Sequence, residues 1–203
     1  MSPLKALTLI CTLKPSPEDS STEKLARDLD AELQKYTVEN EFIRVVDHDI
    51  KPGVEIDMEN GDEWPMIRQK MLDAKILIIA TPTWVGQMSS VALRVIERLD
   101  AELGETDDQG RLLTFGKVAA VAIVGNEDGA HKITADLLQG LNDLGFTIPA
   151  QAATYWNGEA MQQTDYKELS SIPEAVASAN KTVARNVAHL ARLLVADEYP
   201  AVS

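Results

Sequence analysis

Three stretches of the chain gather hydroxyls, amides and flat apolar surface where a strand gives way to a helix. The first is TLKPSPEDSST (12–22). Free amides at a helix N-terminus carry the positive end of the helix dipole, and neighbouring hydroxyls donate to anionic oxygens. Thr12, Ser16, Ser20, Ser21 and Thr22 are therefore candidate phosphate ligands, with Lys14 to neutralise charge. The same residues also have a purely structural reading. Ser20 followed by Glu23 is a capping box, which needs no ligand. The second stretch is ATPTWVGQMSS (80–90), where Pro82 restricts the chain, Gly86 allows close approach and Trp84 offers a broad apolar face. Backbone amides here can bind the polar edge of a planar ring; the alternative is a turn whose tryptophan covers core. The third is GNEDGAH (125–131). Gly125 and Gly129 permit positive φ and expose amides, and Asn126, Glu127 and His131 add hydrogen-bonding groups. Its alternative is an ordinary turn in which Asp128 caps the next helix.

These stretches gain force from the elements that flank them. Apolar runs at 6–11, 40–48, 75–80, 117–125 and within 146–156 alternate with helix-period segments. Leu25, Leu29 and Leu33 form one helical stripe, and 62–74 reads as a helix with Asp62 near its cap. Met88, Val91, Ala92, Val95, Ile96, Leu99 and Leu103 form the clearest apolar face in the chain. Ile133, Leu137, Leu138, Leu141 and Leu144 stripe the following helix, which Gly145 can end. A last helix spans about 172–195, with Val176, Val183, Val187, Leu190 and Leu194 on one side. Strands rich in Val, Ile, Leu and Ala without alternation are buried on both faces, and helices between them act as right-handed crossovers. The pattern predicts an α/β three-layer sandwich with a five-stranded parallel sheet, forming a single domain over 1–203. Ligands bind such sheets at the carboxyl ends of the strands, so the three stretches converge on one edge.

Composition narrows the function. Nineteen Lys and Arg are scattered against 32 Asp and Glu, and the net charge of −13 argues against nucleic acid or anionic membrane as a partner. No stretch approaches the roughly 20 apolar residues of a membrane span, and the N-terminus lacks the pattern of a signal peptide. The single cysteine, Cys11, excludes an internal disulfide and fits a reducing, cytoplasmic setting. It reads as a buried strand residue and not a nucleophile. His48, His131 and His189 are too dispersed to suggest zinc. GxGxxG after the first strand, GxxxxGK[ST] and GxSxG are all missing, against a dinucleotide-type Rossmann domain, a P-loop NTPase and an α/β-hydrolase.

Over about 6–160 the chain resembles the flavodoxin-like NAD(P)H-dependent FMN reductases, with the related quinone and azo reductases. TLKPSPEDSST sits where that family carries a Ser-Pro-Arg-type loop ending in Ser-x-Thr. TPTWVGQMSSVALRVIERLD resembles its Thr-Pro-x-Tyr-x-Gly segment, and VGNEDGAH resembles its glycine-bearing loop after the fourth strand. The chain departs from the family in a longer first loop, in Thr12 for the usual Ser, in Lys14 for the usual Arg, and in Arg94 near the common Lys. YWNGEAM (155–161) also looks like part of the broader family, with a structural role expected for Trp156.

The resemblance implies a strand order of 2-1-3-4-5 and FMN as cofactor, with NADPH or NADH as cosubstrate. Pro82, Thr83, Trp84, Val85 and Gly86 are then expected around the isoalloxazine. The segment Gly125–Gly129 (Gly125, Asn126, Glu127, Asp128, Gly129) would offer amides to the charge that reduction creates, with His131 nearby. It further implies a small electron acceptor such as a quinone, free flavin, an azo dye, a ferric chelate or dioxygen, and a homodimer or homotetramer. A flavodoxin-type carrier serving a protein partner is the competing reading, and a flavodoxin-like protein that has lost its flavin is a third.

Overall fold

The computed structural model describes residues 3–159 and 162–202, so the last two residues of YWNGEAM lie outside the described residues. Along the chain come β1 (Leu4–Ile10), α1 (Ser21–Leu33), β2 (Val38–Arg44), α2 (Trp64–Asp73), β3 (Ile76–Trp84) and a two-residue β4 (Gln87–Met88). Then follow α3 (Ser90–Leu99), β5 (Val118–Gly125), α4 (Ala130–Asp143), β6 (Ala153–Asn157) and α5 (Glu174–Ala196). Five strands run parallel in the order β2-β1-β3-β5-β6, and β4 folds back antiparallel on the end of β3. Counting only the long strands, this is the 2-1-3-4-5 order expected. The winding reverses between β1 and β3, which opens a crevice at their carboxyl ends.

Period-two alternation sends each central strand to both faces of the sheet. Leu7, Leu9 and Cys11, with Leu77, Ile79, Val121 and Ile123, face a core closed by α2, α3 and α4. Ala6, Ile10, Ile78, Ala80, Ala120 and Ala122 face the other side, under α1 and α5. Alanines at 184, 188 and 191 of α5 keep that second layer close to the sheet.

Three element boundaries differ from the sequence expectation, each for a physical reason. β3 does not stop at Ala80. It continues through Thr81 and Pro82 in register with Ile123 and Val124, and then pairs Thr83 and Trp84 with Met88 and Gln87. β2 ends at Arg44, where a 3-10 turn over Val45–Asp47 takes over. α3 ends at Leu99 and tightens into a 3-10 turn over Asp100–Gly104, so Leu103 leaves the apolar stripe and is exposed.

At the amino-terminal edge, Lys117 is buried and its Nζ donates to the carbonyls of Leu72 and Ala74 at the end of α2. Burial, helped by the nearby Lys75, pulls its pKa down to about 8, against Asp73 and Glu102. A depressed lysine pKa means that the unfolded chain holds the proton more tightly, so this group's contribution to stability rises as pH climbs from about 8 towards 10.5. Urea unfolding of wild type and Lys117→Met between pH 7.5 and 10 should show the difference growing by at most about 3 kcal/mol in favour of wild type. The buried Cys11 thiol pulls stability the opposite way in this range, but it is common to both proteins and cancels. A pH-independent difference would assign the lysine an ordinary pKa.

Candidate functional site

A cleft opens at the carboxyl edge where the winding reverses. Thr12, Leu13 and Lys14 leave β1 on one side, and Ser20, Ser21 and Thr22 begin α1. Pro82, Thr83 and Trp84 come from the end of β3, Val124 and Gly125 from the end of β5, and Asn126 and Glu127 from the loop behind it. Asp165 completes the lining from beyond β6.

At the first end, the capping box expected from Ser20 and Glu23 is only half made. Ser20 is the N-cap of α1 and its Oγ accepts from the Glu23 amide at 3.4 Å. The Glu23 carboxylate does not reach back; it pairs with Arg27 at 3.0 Å and with Arg44. Partial burial raises its pKa, but the hydrogen bonds from Arg44 and Arg27 prevail and hold it below the usual carboxylate range. First-turn amides of an α-helix have no intrahelical acceptor, so α1 presents donors to the cleft. The loop itself is pinned from β2. Arg44 donates to the carbonyls of Lys14 at 3.3 Å and Glu18 at 2.9 Å. Ser16 gives its amide and hydroxyl to Asp47 at 2.8 and 2.6 Å, which turns Ser16 out of the lining.

At the second end, the hairpin after β3 and the loop after β5 lean on each other. A Cβ on Gly125 would lie 2.6 Å from Thr83 Cβ, and one on Gly129 would lie 2.8 Å from Gly86 Cα. The Val85 amide donates to Glu127 Oε1 at 2.7 Å. That bond holds a β-branched residue at φ of 52°, a conformation such residues rarely adopt. Trp84 is 52% exposed, so it covers no core. Thr83 is only 4% exposed, and its hydroxyl has no hydrogen-bond partner among the described residues. A buried polar atom left this way costs stability unless something outside the chain satisfies it.

Of the residues singled out in the sequence, Thr12, Lys14, Ser20, Ser21, Thr22, Pro82, Thr83, Trp84, Gly125, Asn126 and Glu127 share the cleft. Val85, Gly86, Asp128, Gly129 and His131 stand behind it. The Val85 side chain points to solvent, and Gly86 and Gly129 form the contact between the two loops. Asp128 does not cap α4. Its carboxylate accepts from the Gly129 amide at 2.7 Å, and Gly129 is the N-cap with no side-chain cap bond. His131 pairs edge-on with Tyr155, Nε2 to hydroxyl at 2.9 Å. Sequence reading missed Leu13, Val124 and Asp165. Leu13 and Val124 adjoin the motifs, whereas nothing local marks Asp165. It is found only through its bond from Asn126 Nδ2, 2.9 Å long and spanning 39 positions.

The cleft therefore offers amides and hydroxyls at one end and a flat apolar wall with amides at the other. Cys11 lies outside it, fully buried, with its thiol pushed far up by burial. No group of His, Cys, Asp and Glu able to hold a metal occurs among the described residues. Trp156 packs against Tyr166 with ring centroids 5.5 Å apart, as a structural residue would.

Residues 5–160 match the family model of the NADPH-dependent FMN reductases. The chain is 34% identical over 208 residues to the 8-demethyl-8-aminoriboflavin-5'-phosphate synthase of Streptomyces davaonensis, covering 97% of this chain and 80% of that protein. A crystal structure of RosB with the bound intermediate 8-demethyl-8-formylriboflavin-5'-phosphate superposes with a TM-score of 0.87 at 32% identity, over 97% of this chain and 82% of that one. A further relative, the divalent metal cation transporter MntH of Mycobacterium bovis, is 41% identical over 172 residues. That match takes in 83% of this chain, which spans only a quarter of the relative's length (25%). No helix among the described residues is long and apolar enough to cross a membrane.

Proposed function

Because the chain belongs to the NADPH-dependent FMN reductase family, we propose that this FMN-dependent oxidoreductase takes hydride from NADPH and reduces a small acceptor such as a quinone, free flavin, an azo compound or a ferric chelate. The observation that carries this reading is the pairing, in one cleft, of the α1 N-terminus with the Thr83–Trp84 wall. FMN has a phosphate at one end and a planar tricycle at the other, and the residues present fit both. The orphaned Thr83 hydroxyl is a donor or acceptor held ready at the ring end.

FMN, when bound, supplies the acceptor and donor of the hydride, so the chain needs no nucleophile of its own. The amides of Ser21 and Thr22 would bind the phosphate, with Lys14 adding charge. Trp84 would cover the ring, and the amides beside Gly125 and Asn126 would stabilise negative charge on its pyrimidine edge. Gly125 and Gly129, by their bare Cα atoms, let the hairpin after β3 and the loop after β5 pack in direct contact, which would fix the position of the wall that meets the ring. A homodimer or homotetramer in the cytoplasm belongs to the same proposal.

A second reading is favoured by the length of the match to the aminoriboflavin-phosphate synthase, which includes nearly all of this chain. The flavin phosphate would then be a substrate to be altered, held by the same cleft. Anaerobic titration separates the readings. Rapid bleaching of bound FMN by NADPH, with FMN recovered at unchanged mass after turnover, supports the reductase. A flavin of altered mass supports the second reading, and FMN that NADPH cannot bleach supports a one-electron carrier.

Trp84 gives a sharper check of the ring end. Because it is half exposed, Trp84→Ala should leave the apoprotein's melting temperature within a few degrees of wild type. FMN affinity should fall by about tenfold or more, given roughly 1–3 kcal/mol for aromatic stacking on a base-like ring. Unchanged FMN binding would take the tryptophan out of the site.

A further inference from the structure

We infer that Asp165 reads the polyol chain of the flavin phosphate, accepting hydrogen bonds from its hydroxyls and selecting flavins with a hydroxylated side chain. The inference rests on the FMN reading above and adds a residue beyond position 160, where the family match ends.

Asp165 is held between the two ends of the cleft. On the ring side, Asn126 Nδ2 donates to Asp165 Oδ1 at 2.9 Å. On the phosphate side, the amide of Lys167 donates to Ser21 Oγ at 3.2 Å, in the first turn of α1. The segment between these ties is itself bonded to the body of the fold. The Asp165 amide donates to Glu168 Oε2 at 2.8 Å, and Tyr166 is fully buried with its hydroxyl donating to Asp28 at 2.7 Å. A ligand with its phosphate at α1 and its ring at Trp84 must pass its linker beside this carboxylate.

The chemistry of the group selects which part of the ligand it meets. A carboxylate repels a phosphate and gains nothing from the apolar face of a ring, but it accepts strongly from hydroxyls. Asn126 takes one acceptor site, on Oδ1, of a residue that lines the cleft, and the capping box with Glu168 engages the same side chain through the Glu168 amide. An ionised carboxylate has about four such sites, so capacity remains for a ligand. In FMN the only neutral O–H donors between phosphate and ring are the three ribityl hydroxyls. The Asn126 bond fixes the carboxylate's orientation, so little side-chain entropy is lost on binding.

The test compares two ligands on two proteins. FMN and a flavin carrying an unhydroxylated 5-phosphopentyl chain are titrated into the apoprotein by fluorescence quenching, alongside apoprotein melting. Wild type should prefer FMN by about tenfold to a hundredfold, the range expected for hydrogen bonds to a charged group. Asp165→Ala should lose that preference by weakening FMN alone, with the deoxy ligand unchanged within about twofold. If Asp165→Ala does not fold, Asp165→Asn keeps one acceptor and the Asn126 contact and should show a smaller loss of the same selectivity. Equal weakening of both ligands would overturn the inference and leave Asp165 as a support for Asn126. Wild type that binds both equally would overturn it while leaving the FMN reading intact. Wild type that binds neither flavin at all would instead fail the FMN reading itself.

Discussion

Arg98→Met should destabilise the protein by about 3–5 kcal/mol, the loss typical when one partner of a buried ion pair is removed. Arg98 and Asp62 are both fully buried side chains, joined at 2.8 Å. The guanidinium also donates to the carbonyls of Lys51 at 2.8 Å, Glu55 at 2.7 Å and Ile56 at 3.2 Å. Asp62 accepts from the amides of Lys51, Met58 and Trp64. One pair thus satisfies the backbone of an irregular stretch that has no ladder of its own. Methionine matches the arginine stem but leaves a buried carboxylate without its counter-charge and three carbonyls without the guanidinium donor. Lysine should rescue little, because a point charge cannot replace the planar fork that reaches several acceptors at once.

Burial raises the Asp62 pKa, but the bonds from the Met58 amide and Arg98 prevail and hold it low. Its contribution is therefore present above the ordinary aspartate range and is lost as pH falls through the folded value. Urea unfolding near neutral pH should show the full loss in Arg98→Met, and the Arg98→Met/Asp62→Asn double variant should recover part of it. A loss under about 1 kcal/mol would mean the stretch is held by other contacts.

That ion pair also shows where sequence reading stops. The strands were legible because β1, β3 and β5 are buried on both faces and read as unbroken Val, Ile, Leu and Ala. Their order followed from the resemblance, and the structure bears it out. Asp62 does lie near the cap of α2, one residue before Glu63 and accepting from the Trp64 amide, but nothing local announces that the same carboxylate pairs with Arg98 across 36 positions. Leu103 fits a helical period that a tighter 3-10 turn breaks. The cleft was legible wherever its residues were contiguous, as in 20–22, 82–84 and 125–127. It was not legible at Asp165, whose place depends on Asn126 and on the docking of Lys167 against Ser21. Local patterns record what a residue does within its own turn. Bonds between distant loops leave no period to read.

Gly129→Ala should lower FMN affinity by about a hundredfold, the scale at which a misplacement near 1 Å acts on a positioned site. Gly129 has φ of 147°, where a Cβ is strained by about 1–3 kcal/mol whatever surrounds it. The surroundings add to that strain. The new methyl would lie 2.8 Å from Gly86 Cα, 3.0 Å from Gly86 C and 3.0 Å from Thr83 Cγ2. Two of those neighbours are backbone, so the hairpin after β3 must move as a body. It carries with it the Thr83 hydroxyl, the Trp84 face and the Val85 amide bound to Glu127. The same substitution at Gly140, inside α4, would place its methyl 3.6 Å from Ile96 Cγ2, an ordinary contact. Gly140→Ala should be neutral or stabilising by up to about 1 kcal/mol, with FMN affinity unchanged. The paired measurement is apoprotein melting and FMN titration on both variants. If Gly129→Ala melts lower but binds FMN as tightly as Gly140→Ala, the contact between the two loops serves the fold alone and does not set the ring site.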